Sequence, residues 1–212
     1  MKILLISDIH GNYPALQAIA DHFSTPFDLI LNNGDTTVYG PFPNQVIDWL
    51  IDHNAQSILG NTDRHIITLL SGSSFKRPRK ADKRLMYGWT AAELSAQNVQ
   101  WLREQPLSRL LIPPVAESDD EQQRVSIGMY HGSPADPDEF LFADTVEHRF
   151  QELAATSSTE IVTVGHSHSP FYRCVGSTHF INPGSVGRMF DGNPSASCAT
   201  LEIAGGVNTV EL

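Results

Sequence analysis

Seven side chains of metal-ligating type, Asp8, His10, Asp35, Asn61, His131, His166 and His168, fall in five short patches of this 212-residue chain. The patches are SDIHGN at 7–12, NGDTTVYGP at 33–41, GNTD at 60–63, YHGSP at 130–134 and GHSH at 165–168, and four of the five follow a segment that reads as a β-strand. Seven nitrogen and oxygen donors exceed the four that close a structural zinc site. They suit two divalent ions sharing a bridging carboxylate. A metal pair of that kind activates water and neutralises phosphoryl charge, so the chemistry this donor set suits is hydrolysis of phosphate esters. Singly the strings are weak: D-x-H is short, Gly-Asp and Gly-Asn are ordinary turns, and a lone His131 would be an ordinary structural histidine. The pair His166 and His168, after a strand-ending glycine, is less common. Spacing of two places Asp8 and His10 on one side of an extended segment. Mixed nitrogen and oxygen ligands suit Mn, Fe, Co, Ni or Zn better than Mg, with Mn the expected occupant.

The elements that must position these residues alternate in the first half. Lys2–Ser7 is an apolar strand; Pro14 opens a helix with Asn12 as its cap; Asp28–Asn32 is a second strand; Pro43 opens a second helix with Val46, Ile47 and Leu50 as its apolar stripe. Gln56–Leu59 is a third strand, followed by a short helix around Arg64–Leu70. This βαβαβ order predicts a parallel sheet. Ser71–Arg84 reads as a basic loop, and Trp89–Glu104 as one or two helices capped by Thr90 and Ser95. Leu107–Ile112 and Arg124–Tyr130 read as strands, joined by the acidic PPVAESDDEQQ loop. A helix over Thr145–Ala155 and a strand over Ile161–Val164 precede short strands at Phe171–Val175, Thr178–Ile181, Ala199–Ile203 and Val207–Leu212. Two sheets, each covered by helices on its outer face, accommodate this order. The ligand loops then gather at the carboxyl ends of strands.

Composition narrows the class. A hydrophobic fraction of 41% suits a globular domain, and residues 1–212 read as a single domain with a variable basic loop and helical segment at about 71–104. The net charge of −10 disfavours nucleic acid and anionic lipid as partners. The basic residues Lys76, Arg77, Arg79, Lys80, Lys83 and Arg84 run against that balance. They form either a solvated face or an anion-attracting lip to the site. Cys174 and Cys198 lie in no metal or redox spacing and read as two buried thiols of a reducing compartment. No segment reads as a signal peptide or a membrane span, so the expected location is the cytoplasm.

The motifs together resemble those of the calcineurin-like metallophosphoesterases, and in particular the compact prokaryotic YfcE-like phosphodiesterase branch. SDIHGNYPALQAI, NGDTTVYGPFPNQVIDWL, GNTD, YHGSP with a following DP, VGHSHSPF and INPGSVG carry the resemblance over nearly the whole chain. It implies a four-layer α/β/β/α sandwich with mixed sheets. It implies that Asp8, His10 and His168 hold one ion, that Asn61, His131 and His166 hold the other, and that Asp35 bridges them. The nucleophile would be a metal-bridging hydroxide held by Asp35, Asn61 and His131, attacking phosphorus in line. Asn12 and the first helix's amino terminus are candidate substrate contacts.

Two departures matter. Many members of the superfamily carry a histidine directly after the asparagine, where it protonates the leaving group; here that residue is Thr62. His65 is the nearby substitute. Loss of acid catalysis costs about 10²–10⁴-fold, least for esters with an acidic leaving group. After NPGSVG, where relatives carry Gln-Pro-Arg-Asp-Gly, this chain has Arg188, Met189, Phe190, Asp191 and Gly192, so Arg188 becomes the candidate substrate arginine. The leading expectation is a phosphodiesterase for small or nucleotide-like substrates. A dinucleoside polyphosphate hydrolase is the enzymatic rival. A protein-binding scaffold is the non-enzymatic one, as in the retromer subunit of this fold, and the filled ligand set argues against it.

Overall fold

The computed structural model describes residues 1–74, 78–113, 125–190, 192–204 and 207–212. Two five-stranded sheets are built from ten strands. The first sheet has β1 (Lys2–Ile6), β2 (Leu29–Asn32) and β3 (Gln56–Ser57) in parallel, with β9 (Ala199–Ala204) and β10 (Val207–Glu211) added antiparallel beside β1 in the order β10-β9-β1-β2-β3. The second runs β4 (Ser108–Leu111), β5 (Ile127–Tyr130), β6 (Ile161–Thr163), β8 (Thr178–Asn182) and β7 (Phe171–Val175). Its three inner strands are parallel and both edges antiparallel.

Alternation along the strands makes the layers. Ile3 and Leu5 turn toward the second sheet and pack with Leu31, Ile127, Met129, Ile161, Ile181 and Leu201. Leu4 and Ile6 turn the other way, onto α1 (Tyr13–His22) and α2 (Pro43–Asp52), through Leu16, Ile19, Val46 and Leu50. In the second sheet Val162 and Phe180 face outward onto Phe150 and Leu153 of α6 (Glu147–Thr156). Strands buried on both faces read as continuous apolar runs, which is why KILLI carried no polar alternation. The result is the four-layer α/β/β/α sandwich.

Local chemistry sets the helix starts. The Asn12 carboxamide accepts from the Ala15 amide at 3.2 Å, and proline occupies the first turn of both α1 and α2. The helix α3 spans Asn61–Leu70, three residues earlier than its sequence pattern suggested, because Asp63 accepts from the Gly60 amide at 3.1 Å and closes the first turn. The segment read as a basic loop is also partly helical: α4 covers Ala81–Glu93 and α5 covers Ala96–Glu104. Asp82 supports the first turn of α4, and Tyr87 and Thr90 are buried within it, so Thr90 is a core contact and not a cap. Ser95 does cap α5, accepting from the Asn98 amide at 3.2 Å. Tyr87, Leu94 and Leu102 pack with Val38, Ile47 and Ile66. Of the basic residues, Lys76 and Arg77 lie outside the described residues, as does most of the acidic loop.

Candidate metal centre

All five patches start at or just beyond the carboxyl end of a strand, on the edge where the two sheets meet. The loops interlock through their backbones: Asp8 N donates to Gly34 O, His10 N to Asp35 O and Gly11 N to Thr36 O, each at 2.9 Å. The NPGSVG loop closes the other side, with Ser185 Oγ donating to Asp8 O at 2.7 Å and Val186 N to Ser7 O at 3.0 Å. Gly187 sits against Ile9 so closely that a Cβ would collide with the Ile9 carbonyl. Between the sheets, Asn33 Nδ2 donates to Tyr130 O and to Thr163 Oγ1, both at 3.0 Å.

Asp8, His10, Asp35 and His168 bring their ligand atoms within 4.8 Å of one another, and so do Asp35, His131 and His166. Asp35 belongs to both groups. Asp8 and His10 converge for a reason other than strand pleating. The strand β1 ends at Ile6, and Asp8, His10, Asp35, His166 and His168 all adopt positive φ, between 52° and 65°. For residues other than glycine this conformation costs of order 1–3 kcal/mol each and persists only where the surroundings impose it. Here the interlocked loops impose it on five of the seven candidate ligands.

The histidine tautomers are set by carbonyl acceptors. His10 Nδ1 donates to Val38 O at 2.9 Å, His131 Nδ1 to Asn33 O at 2.8 Å, and His168 Nδ1 to Arg188 O. With Nδ1 donating outward, each ring presents its Nε2 to the centre. His10 Nε2 and His168 Nε2 stand 3.2 Å apart, and His168 Nε2 is 3.2 Å from Asp8 Oδ1. Asp35 Oδ2 lies 3.8 Å from His10 Nε2, and Asp35 Oδ1 lies 3.6 Å from His131 Nε2. Donors bound at about 2.1 Å around one ion are spaced roughly 3–4 Å apart, so these separations fit a coordination sphere.

Two further atoms fit a cation. Asp8 Oδ2 accepts from Ser7 Oγ at 2.6 Å and from His166 N at 3.0 Å, while Asp8 Oδ1 is buried without a hydrogen-bond partner. The Asn61 amide oxygen lies 3.1 Å from His166 Nδ1 and 3.2 Å from both His131 Nε2 and Asp35 Oδ2. An oxygen facing three acceptors is satisfied by a cation among them. Without one the amide would turn its NH₂ toward them. At His168 burial acts downward, but the Asp8 hydrogen bond and charge outweigh it and raise the imidazole; His10 and Asp8 are set as a cation would need. Burial pushes the His10 imidazole down to about 4, against the pull of Asp35 and Asp8, so it stays neutral and ligand-ready. Burial alone would raise the Asp8 carboxyl, yet the His168 hydrogen bond and the neighbouring imidazoles hold it well below the usual range.

The other candidates are placed as follows. Asn12 uses both ends of its amide within the protein, capping α1 and donating to Gly187 O at 3.3 Å. Arg188 is half-buried, its guanidinium carbon 4.2 Å from the Tyr39 ring centroid and 4.9 Å from that of Phe190. Thr62 is buried; its amide donates to Asp35 Oδ1 at 2.8 Å and its hydroxyl has no hydrogen-bond partner. His65 lies one turn along α3 from Asn61 and lines a cavity with it. Burial and the adjacent Arg64 push the His65 imidazole down, which favours its neutral form. Cys198 is half-buried, its thiol pushed up to about 11 by burial, but Cys174 is exposed, contrary to the reading of two buried thiols.

Several contributors carried no distinct signal. Asp63 accepts from Thr36 N and Thr37 N as well as Gly60 N, tying the Asp35 loop to the Asn61 helix. Burial and the Asp35 charge push its carboxyl up to about 6 against those donors. Asn33 and Asp63 stand inside the motifs NGD and GNTD, so their letters were visible though their roles were not. Phe140 stacks on His166 with centroids 3.9 Å apart, and Phe190 on His168 at 4.4 Å. No spacing in the chain announces Phe140.

A two-sheet α/β sandwich with two largely buried groups of potential metal ligands sharing an aspartate fits a metal-dependent hydrolase. Comparison with known proteins gives the family: the chain belongs to the calcineurin-like phosphoesterase superfamily, whose domain model matches residues 1–206. An uncharacterised protein of Methanocaldococcus jannaschii is 29% identical, across 92% of this chain and 80% of that one. The symmetrical bis(5'-nucleosyl)-tetraphosphatase of Photorhabdus laumondii is 32% identical, but the match spans 50% of this chain and 39% of that enzyme. The crystal structure of a metallophosphoesterase from Sphaerobacter thermophilus superposes with a TM-score of 0.74 at 26% identity, covering 99% of this chain and 87% of that one. The family is metal-dependent and hydrolytic. No helix among the described residues is long and apolar enough to cross a membrane.

Proposed function

We propose that this chain is a binuclear metal-dependent phosphodiesterase acting on small or nucleotide-like phosphodiesters. The observation that carries the proposal is the sharing of Asp35 between two buried ligand groups. Asp8, His10 and His168 would hold one divalent ion, Asn61, His131 and His166 the other, and Asp35 both. When bound, such a pair activates water and neutralises phosphoryl charge. The chain's own residues do the rest. The carbonyls of Val38, Asn33 and Arg188 hold the imidazoles in one tautomer. Arg188, braced between Tyr39 and Phe190, offers a guanidinium to the non-bridging phosphate oxygens. Phe140 and Phe190 cover the outer faces of His166 and His168 and limit water access. Thr62 offers no proton to the leaving group, which favours esters whose leaving group is already acidic.

A second reading, a dinucleoside polyphosphate hydrolase, is favoured by the partial match to the tetraphosphatase. Both are tested by one panel: metal-stripped protein reloaded with Mn, Fe, Co, Ni or Zn, against a bis-aryl phosphodiester, its monoester, cyclic nucleotides and a dinucleoside tetraphosphate. The expected result is diester or polyphosphate hydrolysis that appears only on reloading. Activity confined to the monoester, or none with any metal, would overturn the proposal.

A further inference from the structure

A cavity of about 520 Å³ opens beside Asn61, walled by Tyr39, Tyr87 and His65 and flanked by Arg79 and Lys83. Volumes in this range receive small ligand groups. Of the two cations Arg79 is exposed, whereas Lys83 is not arranged as on a solvated face. Lys83 is half-buried, its ammonium 5.7 Å from the Tyr39 ring centroid, and Arg188 approaches the same ring at 4.2 Å. Two cations share one aromatic ring at the mouth of the metal centre in a chain whose net charge is −10. Among the described residues, the arginine ion pairs lie elsewhere, Arg64 with Asp138, Arg149 with Glu139 and Glu152, Arg173 with Glu147, and none engages Arg79 or Lys83. An anion entering the cavity would meet both Arg79 and Lys83 of its lining. Tyr39 itself is held at a φ of 104°, a conformation a tyrosine adopts only under constraint. Its ring lies 5.1 Å from that of the candidate ligand His10.

We propose that this cavity is a subsite for a second phosphoryl group, so that the preferred substrate is a diester of pyrophosphate or of a longer polyphosphate, and not an isolated phosphodiester. The inference rests on the phosphoesterase reading above and deepens it by choosing, between its two substrate classes, the polyphosphate. In the reaction the oxygen of water forms a new bond to the phosphorus at the metal centre. The bond from that phosphorus to the P–O–P oxygen breaks, and its electron pair leaves with the second phosphoryl group, held by Arg79 and Lys83. Water's two protons end on the two phosphate products or in solvent. A departing phosphate ionises near pH ~6, so it leaves without a proton donor, which Thr62 does not supply. The same choice of leaving group thus accounts for the cations and for the threonine.

The test compares kcat/KM for a dinucleoside tetraphosphate with that for a bis-aryl phosphodiester, in wild type and in the double variant Arg79→Gln, Lys83→Met. The ratio should fall about tenfold or more in the variant, through KM, and the fall should shrink with added salt. Arg103→Gln, which removes an exposed charge on α5 away from the cavity, should leave the ratio as it is. A second readout needs no metal: titration calorimetry of metal-free protein with a nucleoside diphosphate and its monophosphate. Wild type should prefer the diphosphate and the double variant should lose that preference. The single variant Arg79→Gln, at an exposed position, serves if the double variant melts early. If the ratio survives the substitutions, or if wild type binds both nucleotides alike, the subsite is wrong while diester hydrolysis still upholds the phosphoesterase reading. Inactivity on both substrates with every metal would overturn that reading and this inference together.

Discussion

Thr62 shows how one residue shapes the chemistry. Its amide serves the site by donating to Asp35 Oδ1, but its side chain has no acidity near neutral pH. The rate should therefore depend steeply on leaving-group pKa, with aryl diesters fast and alkyl diesters slow. Thr62→His should flatten that dependence and speed alkyl diesters by about 10²-fold, provided a thermal melt shows the larger ring is accommodated. A folded variant with an unchanged slope would show that leaving-group protonation does not limit the reaction. His65→Ala is the companion measurement: loss of rate on alkyl esters alone would identify His65 as the proton donor. Residue types made this question legible, since the absence of a histidine after Asn61 can be read from four letters. The placement of His65 in the same cavity as Asn61 could not be read, because it depends on where α3 begins.

At the scale of elements, the segment from β5 to α6 carries His131 and Phe140 and is held by one ionic cluster. Arg149 of α6 donates to both oxygens of Glu139, Nε at 2.7 Å and NH2 at 2.9 Å, and Ser133 Oγ donates to the same carboxylate. The Arg149 hydrogen bonds hold the Glu139 carboxyl below its ordinary value of 4.5, against burial. A depressed carboxyl contributes stability that is complete above the unfolded value and is lost as pH falls through the folded one. In the metal-free protein, Glu139→Gln should therefore flatten the acid limb of the stability curve, beginning near the ordinary glutamate value and extending below it. Urea denaturation at a series of pH values checks this, and an acid limb identical to wild type would refute it. The same substitution should loosen Phe140 on His166. The start of α4 at Ala81 is not legible in the chain, because Pro78 and Gly88 break the helical pattern of a segment whose stability comes from burying Tyr87 with Val38 and Ile66.

For the whole molecule, the candidate metal centre is where both sheets are joined, and its occupancy should be felt as stability. Candidate ligands from the first sheet's loops, Asp8, His10, Asp35 and Asn61, meet His131, His166 and His168 from the second. Reloading chelator-treated protein with Mn²⁺ should approach two equivalents. At ion concentrations near 100 Kd the melting temperature should rise by roughly 5–10 °C. Asp35→Asn should abolish most of that rise and reduce both equivalents, whereas His168→Ala should remove about one. Metal analysis beside differential scanning calorimetry measures both quantities, and a wild-type stoichiometry firmly at one or zero would sink the two-ion assignment.

What the chain by itself determined is the inventory and the order: seven candidate ligand residues in five patches, strands before them, and helices opened by proline and asparagine. Those features are local, since strand and helix periodicity and cap chemistry act within a few residues; the family and its four-layer sandwich are legible only through the resemblance of the motifs to a known family. Only the tertiary structure decided how the ligands converge. Asp8 and His10 converge through positive φ angles, in a segment tied to the Gly34–Thr36 loop and to Ser185, which are distant in sequence. Asp63, Asn33, Phe140 and the Tyr39 cavity likewise act through contacts spanning tens of residues. Such contacts depend on how two sheets and their loops pack against one another, and no spacing along a single chain encodes that packing in a form periodicity can read.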